Sequence, residues 1–553
     1  MKTLITTTLN ILTRKEKLKA GLLICLDFII SALDIVFLGV LLLIINFYTK
    51  STAINVKLLG IEPAKNSLWV IGLFLLVFIL KNWGGYLVNH AQNSFFYSVS
   101  SRLSKQNIWR YLKGDYTKFI HVDSSILIRK ITHQPIEFSS YILTNLQQIV
   151  SQGMLVLFTI IAILFYHPSL FILLFTLLTP PVILLAWLIK RKLKLIRMQI
   201  KATNTKAIQH LQEALSGYVE SNIYNKNSFF ADRYYSYQQQ LNSNIATQQS
   251  LQGLSSRLIE IFAVFGFFIL IVINKTAPHQ QAIDLLSIGI FMAASYKIIP
   301  GIVKILNNIS QIKTYTFILN DLVPDKKQDV TTVDIISPTI TAIKFEGVNF
   351  SYNEHLVLRN FNLDISMGDL IGISGRSGLG KTTLVNLMLG FLEPAKGIIS
   401  INNRPANAQT LKLYWSKIAY VKQQPFFIND SILKNIVLTD GEYDADRLSQ
   451  ILVICGIDTL LEQYPDGVNK IITENGKNIS GGQRQRIMLA RALYTDFDVL
   501  ILDEPFGEMD DATEKQMLEQ LQLLVKKGKI ILLITHNTSS LSYCNKLILL
   551  DGK

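Results

Sequence analysis

The chain has 553 residues, of which 49% are hydrophobic and 17% charged, with a net charge of +14 and a mean hydropathy of +0.31. That length asks for more than one structural unit, and that apolarity excludes a disordered chain, while the long apolar runs argue against a wholly soluble protein. The positive charge is spread along several loops rather than gathered in one patch, which argues against nucleic acid as a partner.

Residues 1–19 carry five Lys or Arg, and Leu4, Ile5, Leu9, Ile11 and Leu12 among them suit an amphipathic helix lying in a membrane interface. Apolar runs long enough to cross about 30 Å of hydrocarbon follow near 20–47, 67–89, 139–166, 169–189, 254–273 and 285–306. The first contains Asp27 and Asp34 and has no small-x-small cleavage site, so it reads as a retained span rather than a signal peptide. The connections 91–138 and 191–250 hold seven and eight Lys or Arg, against three, none and one in 48–66, 167–168 and 274–284. By the positive-inside rule both termini and the two long loops are cytoplasmic, which makes the chain a multi-pass protein of the inner (cytoplasmic) membrane. The long loops are rich in helix formers and are expected to continue the flanking spans as helices. Cys25, Cys455 and Cys544 form no CxxC pair, so neither a disulfide framework nor a zinc site is suggested.

Ionisable residues inside spans are expensive and point to function by default. Asp27 and Asp34, seven apart, share a helix face; Arg257 and Glu260 open the fifth span, and Tyr296, Lys297 and Pro300 lie in the sixth. Asp34 and Lys297 are expected to face the protein interior or a water-filled cavity as counterparts, either as a structural pair or in contact with substrate.

Residues 312–339 turn polar, carry Pro324 and Pro338, and read as a linker. From residue 340 short β-branched runs alternate with helical stretches, which predicts a mostly parallel sheet with helices on both faces. The fold expected is therefore an all-α transmembrane domain of six helices with long cytoplasmic extensions (1–311), the linker (312–339), and an α/β P-loop domain (340–553).

After the strand LIGIS comes Gly375-Arg376-Ser377-Gly378-Leu379-Gly380-Lys381-Thr382-Thr383, a GxxxxGK[ST] loop between a strand and a helix. Its glycines let backbone N–H groups turn toward phosphate oxygens, Lys381 reaches the β/γ-phosphates of ATP, and Thr382 offers a hydroxyl to Mg2+. The strand VLILDEP ends in Asp503, suited to the Mg2+ shell, and Glu504, suited to orienting or deprotonating an attacking water. His536 follows the strand KIILLIT, where a γ-phosphate sensor is expected.

In NISGGQRQR, Ser480, Gly481, Gly482 and Gln483 resemble the signature of ABC ATPases, with Ile479 in place of the usual leucine. Tyr352 resembles the family's adenine-stacking aromatic, Gln423 its Mg2+-sensing and catalytic glutamine, Glu474 the exporter-specific segment, and Asp510 the end of its SALD segment. Here that segment reads GEMD (507–510), which puts communication between ATP sites in question; the letters SALD at 31–34 fall in a span and are coincidence. Past the last strand, the family's C-terminal extension is expected to be short or missing.

The resemblance implies that each ATP is held between one chain's P-loop and another's signature. A second copy of the chain or a sibling half-transporter is therefore the expected partner. It also implies an exporter in which loop tips near 121–125 and 217–225 touch the ATPase. An acid in the first span, the Tyr296-Lys297-x-x-Pro300 run and segment 115–131 resemble bacterial flippases of lipid-linked oligosaccharides. The expected function is ATP-driven export or flipping of an amphipathic substrate by alternating access, with a lipid or lipid-linked saccharide favoured. A hydrophobic peptide or drug exporter, or an ATP-gated channel or regulatory membrane ATPase, is the alternative.

Overall fold

A computed structural model describes residues 2–49, 68–114, 122–166, 202–276, 285–322, 338–352, 355–376 and 378–550, with a few positions between 176 and 200. The described residues up to 322 form one compact unit and those from 338 onward a second.

The first unit is helical. Helix α1 (Lys2–Ile11) leads into α2 (Arg14–Thr49), followed by α3 (Trp69–Leu112) and a continuous helical run α4 (124–166). Then come a short helix α5 (Tyr218–Ile223), α6 (Asn227–Thr276), α7 (Leu285–Tyr315) and α8 (Ile318–Leu322). Five of the six expected spans fall on α2, α3, α4, α6 and α7, whereas most of 169–189 lies outside the described residues. Among the described residues, 14–41, 69–112 and 124–165 are long and apolar enough to cross a membrane. The long loops are helical extensions: α3 continues to Leu112, and α6 begins at Asn227, far ahead of its apolar stretch. Helix α5 occupies the expected tip at 217–225 and exposes Tyr218, Val219 and Ile223; its C-cap Tyr224 is exposed as well. The other tip is described only from Val122.

The start of α2 follows from its sequence. Thr13 and Glu16 form a reciprocal cap, the Glu16 carboxylate accepting from the Thr13 N–H at 2.8 Å and the Thr13 hydroxyl from the Glu16 N–H at 3.3 Å. Arg102 of α3 donates to both Glu16 oxygens, at 2.7 and 2.9 Å, and to the Ile11 carbonyl at 3.1 Å. One end of α1 is thereby anchored: Ile11 and Leu12 are buried with Phe95, Val99, Phe138 and Ile318, while Ile5 and Leu9 remain exposed. Helices α4 and α7 approach closely at Gly301, where an added Cβ would stand 2.6 Å from a Val156 methyl.

The second unit carries two sheets. An antiparallel sheet is ordered β2 (His355–Ser366), β1 (Ala342–Tyr352), β4 (Lys396–Ile401), β5 (Arg404–Pro405). A parallel sheet is ordered β9 (Lys546–Leu549), β3 (Leu370–Ser374), β8 (Ile530–Ile534), β7 (Val499–Asp503), β6 (Ile418–Val421). Side chains on β7 and β8 alternate between two cores. Leu500, Leu502, Ile531 and Leu533 enter one; Val499, Ile501, Ile530, Leu532 and Ile534 enter the other. A parallel sheet covered on both faces needs this unbroken apolar run rather than a polar/apolar alternation. The helices that serve the site are α9 (Lys381–Met388), α10 (Ile432–Val437), α11 (Gly481–Tyr494) and α12 (Asp511–Lys526).

Candidate functional site

The carboxyl ends of adjacent parallel strands meet at one edge, the usual place for a ligand in such a sheet. Strand β3 leads into the loop that starts at Gly375, β8 into His536, β7 into Asp503 and Glu504, and β6 into Gln423. Gly378 and Gly380 take left-handed φ values of 85° and 96°, and Gly380 caps α9. Its neighbour across the turn is Val357, to which an added Cβ would approach within 2.7 Å, so the β1–β2 hairpin borders the loop. Tyr352, at the end of that hairpin, is exposed and packs edge-on against Phe350 at 4.9 Å. Ser377 lies outside the described residues. The Thr382 side chain is exposed and that of Thr383 is buried.

Lys381, His536 and Glu504 are in mutual reach. Lys381 Nζ donates to the Gly375 carbonyl at 2.8 Å and stands 2.6 Å from His536 Nε2, which is 3.4 Å from Glu504 Oε1. An ammonium has only donors, so Nε2 facing Lys381 must be the lone-pair nitrogen; facing Glu504 it must carry the proton. The two contacts therefore ask for opposite tautomers. Glu504 is held at φ 52°, a region unfavourable for any residue with a Cβ, while its N–H is bound to the Ile534 carbonyl at 2.9 Å. Burial, followed by the Glu504 charge, raises the Asp503 carboxyl above its usual range, against the opposing pull of Lys381 and a hydrogen bond to Tyr420. A cation of charge two beside this carboxylate pair would reverse that shift. The residues present thus fit both a nucleotide phosphate and Mg2+.

The signature residues open α11. The Ser480 hydroxyl accepts from the Gln483 N–H at 3.3 Å and the Gln483 side chain accepts from the Ser480 N–H at 2.9 Å, a complete capping box. Ile479 is buried in the core, so it fills the leucine's apolar role. Asp510 caps α12, accepting from the Thr513 N–H at 2.9 Å, with Arg486 at 3.5 Å; these partners, the Thr513 N–H first, hold its carboxyl below the usual range. Ser480, Gly481, Gly482, Gln483 and Asp510 together line one cavity of about 480 Å3. Gln423, Glu504 and Gly481 line a narrower cleft. Glu508 borders both, and its carboxylate lies against Gly481, leaving no space there for a Cβ.

A family profile described as ABC transporter matches residues 358–507, and one described as ABC transporter transmembrane region matches residues 21–293. The chain is an ABC transporter. It joins a membrane domain and an ATPase domain in one half-transporter, a class that works as dimers, and it couples ATP hydrolysis to transport across a membrane.

The transporter is 25% identical over 491 residues to the ATP-dependent lipid A-core flippase of Burkholderia orbicola, covering 87% of this chain and 81% of that one. It is 28% identical over 372 residues to the protein of the same name from Alkalilimnicola ehrlichii, covering 66% and 62%. A probable ABC transporter ATP-binding/permease protein of Haemophilus influenzae is 34% identical over 226 residues, 41% of this chain and 40% of that one. In fold it resembles a bacterial Atm1-family ABC exporter solved with ATP bound, with a TM-score of 0.78 at 18% identity over 97% of this chain and 93% of that one.

In the membrane domain one pairing differs from expectation. Asp34 of α2 forms its ion pair with Lys81 of α3, not with Lys297. The two helices pack side by side, and Lys81 is the basic group in reach; sequence order alone could not choose between two intramembrane lysines. Asp27 accepts a hydrogen bond from Gln147 of α4 at 2.8 Å. Sequence reasoning also passed over Arg491 of α11. Its Nε donates to the Asn435 carbonyl in α10 at 2.6 Å and its Nη1 to the Phe426 carbonyl at 2.8 Å, and burial lowers its pKa to about 10. This arginine ties the signature helix to the segment that follows Gln423.

Proposed function

We propose that the transporter flips an amphipathic lipid bearing a saccharide headgroup across the inner membrane, working as a homodimer with both termini cytoplasmic. The convergence of Lys381, Asp503, Glu504 and His536 at one sheet edge carries the ATP-driven part of this reading. The lipid part rests on the relatives whose name is lipid A-core flippase.

The P-loop backbone from Gly375 to Thr383 cradles the phosphates of ATP, and Tyr352 stacks on its adenine. Thr382, Gln423 and Asp503 would hold Mg2+, which when bound would neutralise charge on the β- and γ-phosphates. Lys381, once committed to phosphate, leaves His536 Nε2, which can then carry a proton and face the γ-phosphate and Glu504. Glu504 accepts the proton of the attacking water. Ser480, Gly481, Gly482, Gln483 and Asp510 face the nucleotide of the second subunit. Closing the two ATPase domains switches the membrane cavity from inward- to outward-open, and hydrolysis resets it.

Replacing Glu504→Gln keeps the side chain's size and removes the base. ATPase activity of the purified protein is expected to fall by at least about a hundredfold, while ATP binding persists and the closed dimer accumulates. Turnover at the wild-type rate would remove Glu504 from this role.

A further inference from the structure

The helical unit contains a cavity of about 300 Å3 that includes none of the residues given a role above. Its walls include Arg129, Glu137 and Tyr141 of α4, Asn204, Ile245 of α6, and Tyr315 of α7. Along this wall α4 departs from regular geometry, with π-helical turns at Arg129–His133 and Phe138–Leu143. Such turns are rare and recur at functional sites.

Two charged side chains at this wall, Arg129 buried and Glu137 part-buried, are incompletely satisfied. Arg129 is 7% exposed; its Nη2 lies 3.6 Å from Glu137 Oε2 and its Nη1 3.5 Å from the Thr205 hydroxyl, with the Phe317 ring beneath the guanidinium at 5.3 Å. The 3.6 Å separation is an ion pair but too long for a hydrogen bond. Arg129 Nε and Glu137 Oε2 are both buried without a hydrogen-bond partner. Buried polar atoms are almost always paired, so an unpaired donor beside an unpaired acceptor at a cavity wall leaves a place for a water or for a polar group of a ligand.

That ligand must accept from Arg129 and donate to Glu137. A phosphate accepts but sets its charge against the carboxylate; an ammonium donates but opposes the guanidinium. A hydroxyl does both, and neighbouring sugar hydroxyls can do so at two points. Tyr141 and Tyr315, stacked 3.9 Å apart and within 6° of parallel, add a rigid aromatic element to the same wall. The volume lies at the lower end of the range for small-ligand pockets. We propose that this cavity seats a sugar ring of the transported lipid's headgroup, bridged between Arg129 and Glu137. This rests on the saccharide-lipid reading above and adds its place in the chain.

The test uses the full-length, nucleotide-free protein in nanodiscs and two probes: diglucosyl diacylglycerol, an uncharged glycolipid, and phosphatidic acid, which has a phosphate but no sugar. The Arg129→Met/Glu137→Leu double variant removes both unpaired atoms without stranding a charge, and Ile245→Trp narrows the cavity from its α6 side. Each is expected to weaken glycolipid binding at least about tenfold and to change phosphatidic acid binding by no more than about twofold. Should the double variant fail to fold, Ile245→Trp alone decides. Wild-type affinity for the glycolipid in both variants would overturn the seat while sparing the saccharide reading. Equal weakening of both probes would overturn its selectivity for sugar. A wild-type protein that binds phosphatidic acid and no glycolipid would overturn the seat and the saccharide reading together.

Discussion

At Gly481 the signature helix begins beneath a carboxylate of its own chain, since Glu508 lies against its Cα and pairs with Arg484 at 3.3 Å. A negative side chain there competes with any phosphate that approaches the positive end of α11. Glu508→Ala is therefore expected to lower the ATP concentration for half-maximal ATPase by about two- to fivefold. An unchanged ATP titration would show that Arg484 already neutralises the charge. The departure from SALD was visible in the sequence; its contact with the signature was not, because motif order says nothing of which loop folds over which. The same limit applies to Asp34. Its expense in a span marked it as important, but only the packing of α2 on α3 selects Lys81. Breaking one side of this part-buried pair inside a span leaves an uncompensated charge. Asp34→Asn and Lys81→Gln alone are each expected to lower thermal stability, by about 3 kcal/mol, with the double variant recovering most of the loss. Additive losses in a thermal-shift comparison would show that the two side chains are not energetically coupled.

Elements were read with uneven success for a physical reason. Apolar length declares a span, and a P-loop between a strand and a helix declares its own surroundings, so α2, α3 and the β3–α9 turn were legible. The π-helical turns of α4 were not: a wide turn leaves the apolar pattern almost unaltered and has no residue signature comparable to that of a cap or a hairpin. Close helix approach was equally silent. Gly301 reads as an ordinary small residue, yet α4 and α7 meet there with Val156 2.6 Å from where a Cβ would sit. Gly301→Ala is expected to destabilise the helical unit by about 1–3 kcal/mol through overpacking. The expected readout is a lower melting temperature of the detergent-solubilised protein, and an unshifted one would show that the helices can separate at little cost.

At the scale of the molecule, each unit has a core of its own. One is centred on Phe95, Phe138 and Ile318, and the other is built on both faces of the parallel sheet. This division explains why the ATPase half could be read almost residue by residue. Its chemistry sits on backbone features that particular residue types must supply, whereas the membrane half is selected mainly for apolarity and shape. One of those backbone features has a price in folding. Glu504 occupies a conformation natural to glycine, at φ 52°, so selection has kept a side chain where the chain itself would fold better without one. Glu504→Gly should be more stable than Glu504→Ala by about 1–2 kcal/mol, although both lack a base and neither should turn over ATP. A calorimetric comparison of the two dead proteins would weigh that conflict directly, and equal melting temperatures would show that the surrounding strands, not the side chain, impose the bend. Evolution of this transporter toward heat resistance would then be closed at that position: the most accessible gain in stability there is the loss of its motor.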